Sequence, residues 1–280
     1  LSCGHVTTLV YDRRRDALVT LTDALTLAGQ TEEGLCQALA DQYDPQLKQE
    51  APDADALSAC RALGAKLCYA KADVNALRER VSSQDQSAFL ERIMQSGHMS
   101  VLEHASFTFA VEGVSRALLA QLTRHRIASF SVQSQRYVSL AENFNYIMPP
   151  AIKALGEEAA ARYDAQMRQM QAWYAQWQQE LGAKGESSNE DARFVLPNAC
   201  ETRLIVTMNT RELLHFFELR CCSRAQWEIR ALATEMLRLC RKTAPVLFAD
   251  AGPGCVRGAC PEGAKSCGNA AQVREKFEHL

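Results

Sequence analysis

The sequence carries almost no excess charge of either sign: 31 Lys and Arg against 33 Asp and Glu leave −2 over 280 residues. A protein that binds nucleic acid through counterion release usually has a basic surplus, so that class starts disfavoured. No apolar run approaches the length of a bilayer span, which leaves no membrane call. The opening residues Leu1-Ser2-Cys3-Gly4-His5 lack the basic-then-apolar order of a secretion signal. Because Leu stands first, a few residues are expected to have been trimmed, and a cytoplasmic location is the default expectation. Internal repeats and low-complexity tracts are also missing, which argues against repeat arrays and linkers.

Cysteine, by contrast, is plentiful. Eleven of them, an odd number spread through a long chain, do not read as a secreted disulfide framework. Reduced thiols with at most one metal cluster fit better. Cys221-Cys222 and Cys255-x4-Cys260-x6-Cys267 are the candidates. Their spacings are not C-x-x-C, so the reading taken is unliganded thiols in a flexible tail, with no metal.

Residues 1–50 are the least readable. Leu18 to Thr22 has strand character and Glu32 to Gln42 helical character. An extended piece, Gln46 to Ala51, precedes Pro52. Asp53 or Asp55 is placed to cap a helix running to about Tyr69. Ser83-x-x-Gln86 predicts a capping box for a helix that Gly97 closes. Ala105, Phe107, Phe109 and Val111 alternate with polar or small residues, the period of a half-buried strand. Ser115 is expected to cap the next helix, with Leu118, Leu119 and Leu122 on one face. Phe130 to Val138 reads as extended.

From Ala151 to Leu181 the pattern predicts one long helix, with Tyr163, Met167, Met170, Tyr174, Trp177 and Leu181 as a continuous packing stripe. Ser187-x-x-Glu190 is a second capping box, Thr202 to Met208 a strand, and Asn209-x-x-Glu212 the start of a helix through Arg220. Ala225 to Thr243 is the last long helix expected, and Gly252 to Gly268 is irregular. The element order favours an α+β fold, a mixed or antiparallel β-sheet flanked by long helices. The expected division is an N-terminal extension (1–50), a main domain (51–250) and a Cys/Gly-rich C-terminal tail (251–280).

Three groups of residues carry possible chemistry. Arg124-His125-Arg126 ends a predicted helix, and Ser134, Gln135 and Arg136 follow on the next extended piece. Arginine's planar fork grips phosphate oxygens in paired hydrogen bonds. The same residues also suit a basic helix end that complements the helix dipole. On the residues alone both readings stand. The second group is Asn209, Arg211, His215 and Arg220, joined by Arg193. Arg211 and His215 share a helical face, and arginines near apolar segments call for an anionic partner. The third is Gly97-His98-Met99-Ser100-x-x-Glu103-His104, whose spacing matches no common metal site.

Together these strings resemble the flavin-dependent thymidylate synthase family. Arg124-His125-Arg126, seven residues, Ser134, one residue, Arg136 is similar to its RHR-x7-S-x-R signature. Gly97-His98 with Glu103-His104 resembles its GH-x4-EH segment, and Ala192-Arg193 with Leu196-Pro197 resembles its AR-x-x-LP turn. Asn209-x-Arg211, Leu219-Arg220 and Ala225-Gln226-Trp227-Glu228-Ile229 resemble its N-x-R…LR…AQWEI block. The likeness covers roughly residues 55–250.

The resemblance implies conversion of dUMP to dTMP, with methylenetetrahydrofolate as carbon donor and NADPH-reduced FAD as hydride carrier. It also implies a homotetramer with active sites at subunit interfaces. By motif position, Ser100, Arg124, His125, Arg126, Asn209, Arg211 and His215 would contact FAD. Gln121, Arg124, Gln133, Ser134, Gln135, Arg136, Arg193 and Arg220 would hold dUMP, with His98 near the flavin ring and folate. Arg220 is the residue expected to stabilise charge developing on the uracil ring. Ser134 reads as a phosphate donor rather than a nucleophile, since no base stands ready to activate it. Two positions depart from the pattern: Val132 stands where some members have an acidic residue, and His215 where others have Asn. A catalytically impaired FAD- or nucleotide-binding homologue is the alternative. A nucleic-acid-binding module is a third reading, which the charge balance and the AQWEI block oppose.

Overall fold

Alternating apolar residues build the centre of the molecule. The computed structural model describes residues 8–12, 17–20, 65, 66, 71, 76, 77, 81, 86–141 and 145–280. Within them lie five strands: β1 (Thr8–Asp12), β2 (Ala17–Thr20), β3 (Ser106–Ser115), β4 (Ala128–Val132) and β5 (Glu201–Asn209). They form one mixed sheet in the order β2-β1-β3-β5-β4. β1 runs parallel to β3, and the other neighbours are antiparallel. The fold is α+β, as expected.

The described α-helices are α1 (Ser87–Gln95), α2 (Arg116–Leu122), α3 (Pro150–Lys153), α4 (Glu157–Glu180), α5 (Glu186–Ala192), α6 (Thr210–Arg220), α7 (Trp227–Thr243), α8 (Pro245–Phe248) and α9 (Ala270–Glu278). Phe107, Phe109 and Val111 of β3 and Leu204, Val206 and Met208 of β5 point to one side of the sheet. There they bury against Leu213, Phe216 and Phe217 of α6 and Ile229, Leu232 and Met236 of α7. Each such side chain removed from water contributes about 1.5–3 kcal/mol. Phe248 sits edge-on to both Phe107 and Phe217, with ring centroids 5.5 and 5.9 Å apart. At Gly113 (φ 71) the β3–β5 register shifts, a backbone turn that a side chain would strain. Beyond it, Ser115 Oγ accepts the Leu118 N–H at 3.0 Å and starts α2, as its position predicts.

Several expected boundaries move. Gln86, not Ser83, is the N-cap of α1, and its side chain spans instead to Val81 O and Lys66 Nζ. Ser83 itself lies outside the described residues, and Gly97 (φ 76) closes the helix as expected. The single helix expected over 151–181 is two, interrupted at Gly156 (φ 100). Its stripe is real in part. Met167 and Tyr174 are buried, Tyr163 and Met170 pack on a second cluster around Met167 and Cys200, and Trp177 and Leu181 stay exposed. The Ser187 box fails because Gly185 (φ 62) starts α5, while Ser188 Oγ accepts from Lys184 N. Extended structure after Phe130 ends at Val132, and a turn follows over 135–137. The readings at Glu32 to Gln42 and Gln46 to Ala51 lie outside the described residues, as does most of the helix read up to Tyr69.

The C-terminal segment is docked, not loose. α9 was not expected, and its Phe277 enters the main core. Arg241 of α7 donates to the carbonyls of Phe248, Ala249, Ala251 and Phe277, and Arg274 of α9 donates to those of Cys255 and Gly258. Among the described residues, no three His, Cys, Asp or Glu side chains come together as metal ligands.

The described cysteines nevertheless differ in reactivity. Burial pushes the Cys221 thiol up to about 12 and raises Cys240 strongly. A hydrogen bond from Ser223 pulls the exposed Cys267 below the usual thiol range. Because the thiolate is the nucleophile, brief iodoacetamide treatment of the native protein should label Cys267 ahead of Cys221 and Cys240. Peptide mapping by mass spectrometry reads the order, and equal labelling of Cys221 would refute it.

A candidate active site on helix α6

α6 is fixed before it carries chemistry. Asn209 Oδ1 accepts the Glu212 N–H at 2.9 Å, and the Thr210 hydroxyl donates to Ala105 O at 3.2 Å, tying the helix start to the sheet. Its last residue is Arg220. Across from it, α2 ends at Leu122 and the chain turns, with Arg124 N and His125 N donating to Gln121 O and Leu122 O. The turn aims His125 inward and leaves Arg124 and Arg126 exposed.

His125 is buried and uses both ring nitrogens. Nδ1 lies 3.0 Å from Glu212 Oε1, and Nε2 accepts from Arg220 Nε at 3.0 Å. The ring also meets Phe216 edge-on, with centroids 5.0 Å apart, and His215 at 6.1 Å. Burial is the main force holding His125 below the ordinary imidazole range. Glu212 opposes that shift, while Arg220 and His215 reinforce it. Burial also lowers the Arg220 guanidinium, and repulsion from Arg124 lowers it further. The Arg124 charge is thus felt at Arg220, although the two lie far apart in the chain.

A second group forms where the turn after β4 meets α5. Arg136 Nη2 and Nε pair with Glu186 at 2.8 Å and Glu190 at 2.7 Å, while Arg193 Nε donates to Glu190 O at 3.1 Å. Ser134 Oγ accepts the Arg136 N–H at 3.1 Å, and Gln135 Nε2 donates to the Cys200 sulfur at 3.4 Å. Asn189 Nδ2 holds Arg136 O at 2.9 Å. Gln178 in turn donates to Asn189, to Tyr174 and to Ser139, so the interior of α4 supports the turn through a polar network.

A third group lies at the N-terminal end of α6, where Arg211 pairs with Glu103 at 2.5 Å, next to the short 3-10 segment Met99–His104 that contains Ser100. His98 caps that segment's start and His215 is exposed one turn along from Arg211. Gln121 is half-buried near the end of α2. Gln133 N donates to Arg203 O at 2.9 Å at the sheet edge, and Val132 packs against the core.

Three participants escaped the sequence reading. Glu212 looked only like a capping residue, and Gln178 and Asn189 looked like ordinary helix residues. The signal for Glu212 was its residue type: a carboxylate on a face otherwise occupied by Leu213, Phe216 and Phe217 needs a partner.

The α+β scaffold thus presents guanidiniums from the turn after α2, from α6 and from the turn after β4. Residues 46–246 match the family model described as thymidylate synthase complementing protein. The flavin-dependent thymidylate synthase of Geobacter sulfurreducens is 52% identical over 235 residues, covering 84% of this chain and 97% of the relative. That of Clostridium tetani is 48% identical over 227 residues, 77% and 90% of the two chains. That of Pyrococcus furiosus is 44% identical over 197 residues, 66% and 76%. The chain belongs to the flavin-dependent thymidylate synthase family.

Proposed function

We propose that the protein methylates dUMP reductively to dTMP, with methylenetetrahydrofolate as carbon donor and NADPH as reductant of bound FAD. Flavin-dependent thymidylate synthesis is the activity of its family, and the carrying observation is the Arg220 guanidinium held at Nε by the buried His125, whose neighbours Arg124 and Arg126 stand exposed on the same turn. Arginines clustered in this way suit an anionic ligand.

The residues fit a flavin dinucleotide. Arg124 and Arg126 are exposed cationic donors suited to a pyrophosphate, and Arg211, paired with Glu103 of the segment that contains Ser100, stands one turn before His215. Asn209 and His125 make their hydrogen bonds within the protein and hold that frame. When bound, FAD supplies the hydride chemistry, and the protein supplies binding, orientation and electrostatics. For dUMP, Ser134, Gln135, Arg136 and Arg193 gather at one turn suited to its phosphate, with Gln121 and Gln133 beside the uracil. Arg220 faces the ring and stabilises the negative charge that develops as C5 attacks. His98 borders the folate side.

We read residues 51–250 as the synthase unit, with 1–50 as an extension of it. Phe194, 83% exposed beside Arg193, and Tyr137, 67% exposed beside Arg136, support a homotetramer in which another copy covers the site. No described helix is long and apolar enough to cross a membrane, and we take the enzyme to be cytoplasmic. Purified protein given FAD should show flavin absorbance, consume NADPH when dUMP is present, and form dTMP with methylenetetrahydrofolate. Failure to bind FAD under every condition refutes the reading, whereas bound FAD without dTMP identifies an impaired homologue.

A further inference from the structure

We propose that Glu212 is a positioning residue for this reaction: its carboxylate fixes His125 as the Nδ1–H tautomer, so that Nε2 accepts the Arg220 Nε–H and aims the guanidinium at the nucleotide. The proposal rests on the synthase reading for what Arg220 does, and on geometry alone for the rest.

An ionised carboxylate only accepts hydrogen bonds, so the nitrogen 3.0 Å from Glu212 Oε1 carries the ring proton. The other nitrogen is then an acceptor, and arginine, which has no acceptor at all, donates to it at 3.0 Å. Reversing the tautomer would set two N–H groups against each other. Glu212 is itself held on two counts. Its backbone N–H is capped by Asn209, and its place in the first turn of α6 suits a negative charge. Both ends of the relay therefore sit on one rigid helix, with the buried His125 as the bridge from the α2–β4 turn. The side chain of arginine has several rotatable bonds, and fixing Nε removes most of their freedom before substrate arrives.

The charged and titratable groups that face His125 are Glu212, His215 and Arg220 of α6, and Arg124 adjoins on its own turn. A proton added to Nε2 at low pH breaks the link to Arg220. The acid limb of kcat should therefore follow His125.

Glu212→Gln is the informative variant. The amide is nearly the same size, yet it donates as well as accepts and so no longer dictates the tautomer. Expected is a fall in kcat on the order of 100-fold, larger than any rise in the KM for dUMP. The acid limb should move to lower pH, because the carboxylate that favoured the imidazolium is gone. Glu212→Asp keeps the charge and should restore part of kcat and the limb. A role confined to starting α6 would lower stability without moving the limb, and an unmoved limb overturns the proposal.

Nitrogen NMR of histidine-labelled wild-type protein reads the tautomer without any assay, and a protonated Nε2 at neutral pH overturns it equally. Wild-type protein that makes no dTMP but shows the Nδ1–H form refutes the synthase reading and leaves the relay standing.

Discussion

An Arg220→Ala variant is expected to form dTMP about 10²- to 10³-fold more slowly than wild type while still binding FAD, the usual cost of removing one preorganised charge donor from a reacting centre. The flavin ligands proposed here, Arg124, Arg126 and Arg211, lie on other segments or at the opposite end of α6, so flavin absorbance should survive. The guanidinium is well prepared for a developing anion. Its Nε is already committed to His125, which leaves the two terminal nitrogens to meet an anionic ring. Lysine is no substitute, because it lacks the planar Nε–H that His125 accepts. Arg220→Lys should therefore lose most of the same rate. Single-turnover formation of dTMP and flavin titration, measured on the same preparations, separate the two effects. A variant that retains more than about a tenth of the wild-type rate would remove Arg220 from the chemistry.

Local chemistry was legible wherever it was decided locally. The alternation from Ala105 to Val111, the Ser115 cap and the Asn209 cap each follow from a side chain and its immediate neighbours, and each stands in the structure. Where tertiary contacts or a backbone angle decided, the pattern misled. The stripe of α4 runs back toward Ala151 as though nothing interrupted it, but Gly156 at φ 100 does. Ser187 resembles a cap, yet Gly185 turns the chain two residues earlier. α9 hides behind a Gly- and Pro-rich stretch, and its one deep anchor, Phe277, is invisible to periodicity.

The site divides in the same way. Motif positions named the arginines, and the structure brings His125 onto Arg220 and Arg136 onto Glu186 and Glu190 of α5. Which of them is held, and by what, depends on residues 87 and 95 positions apart meeting at His125. Residue spacing carries no trace of such a meeting. The resemblance at Ala225-Gln226-Trp227-Glu228-Ile229 was likewise legible as a string but silent about its purpose.

That purpose is structural, and Glu228→Ala should show it with the largest stability loss of any single carboxylate described. Glu228 is buried and accepts from Ser115 N at 2.7 Å and from the Ser115 hydroxyl at 2.5 Å. The same hydroxyl oxygen caps α2 through Leu118 N, and Gln226 caps α7 through Glu228 N at 3.0 Å and Ile229 N at 3.2 Å. Two helix starts and the end of β3 are therefore joined at one carboxylate. Its negative charge also sits at the N-terminal end of α7, where the helix dipole favours it. Truncation leaves a buried amide N–H and a buried hydroxyl without their charged acceptor, at about 1–3 kcal/mol each. The sum, roughly 3 kcal/mol, is a large share of a typical folding free energy of about 5–15 kcal/mol. Glu228→Gln keeps the size and one acceptor oxygen and should cost about half as much. Urea unfolding reads both, with the midpoint falling and the slope unchanged. Because α2 leads directly into Arg124 and His125, the alanine variant should also loosen the active-site turn and weaken flavin binding before it unfolds. An alanine variant with the wild-type urea midpoint would mean that water replaces the carboxylate at Ser115, and the junction would then owe its rigidity to packing by Leu118 and Ile229 alone.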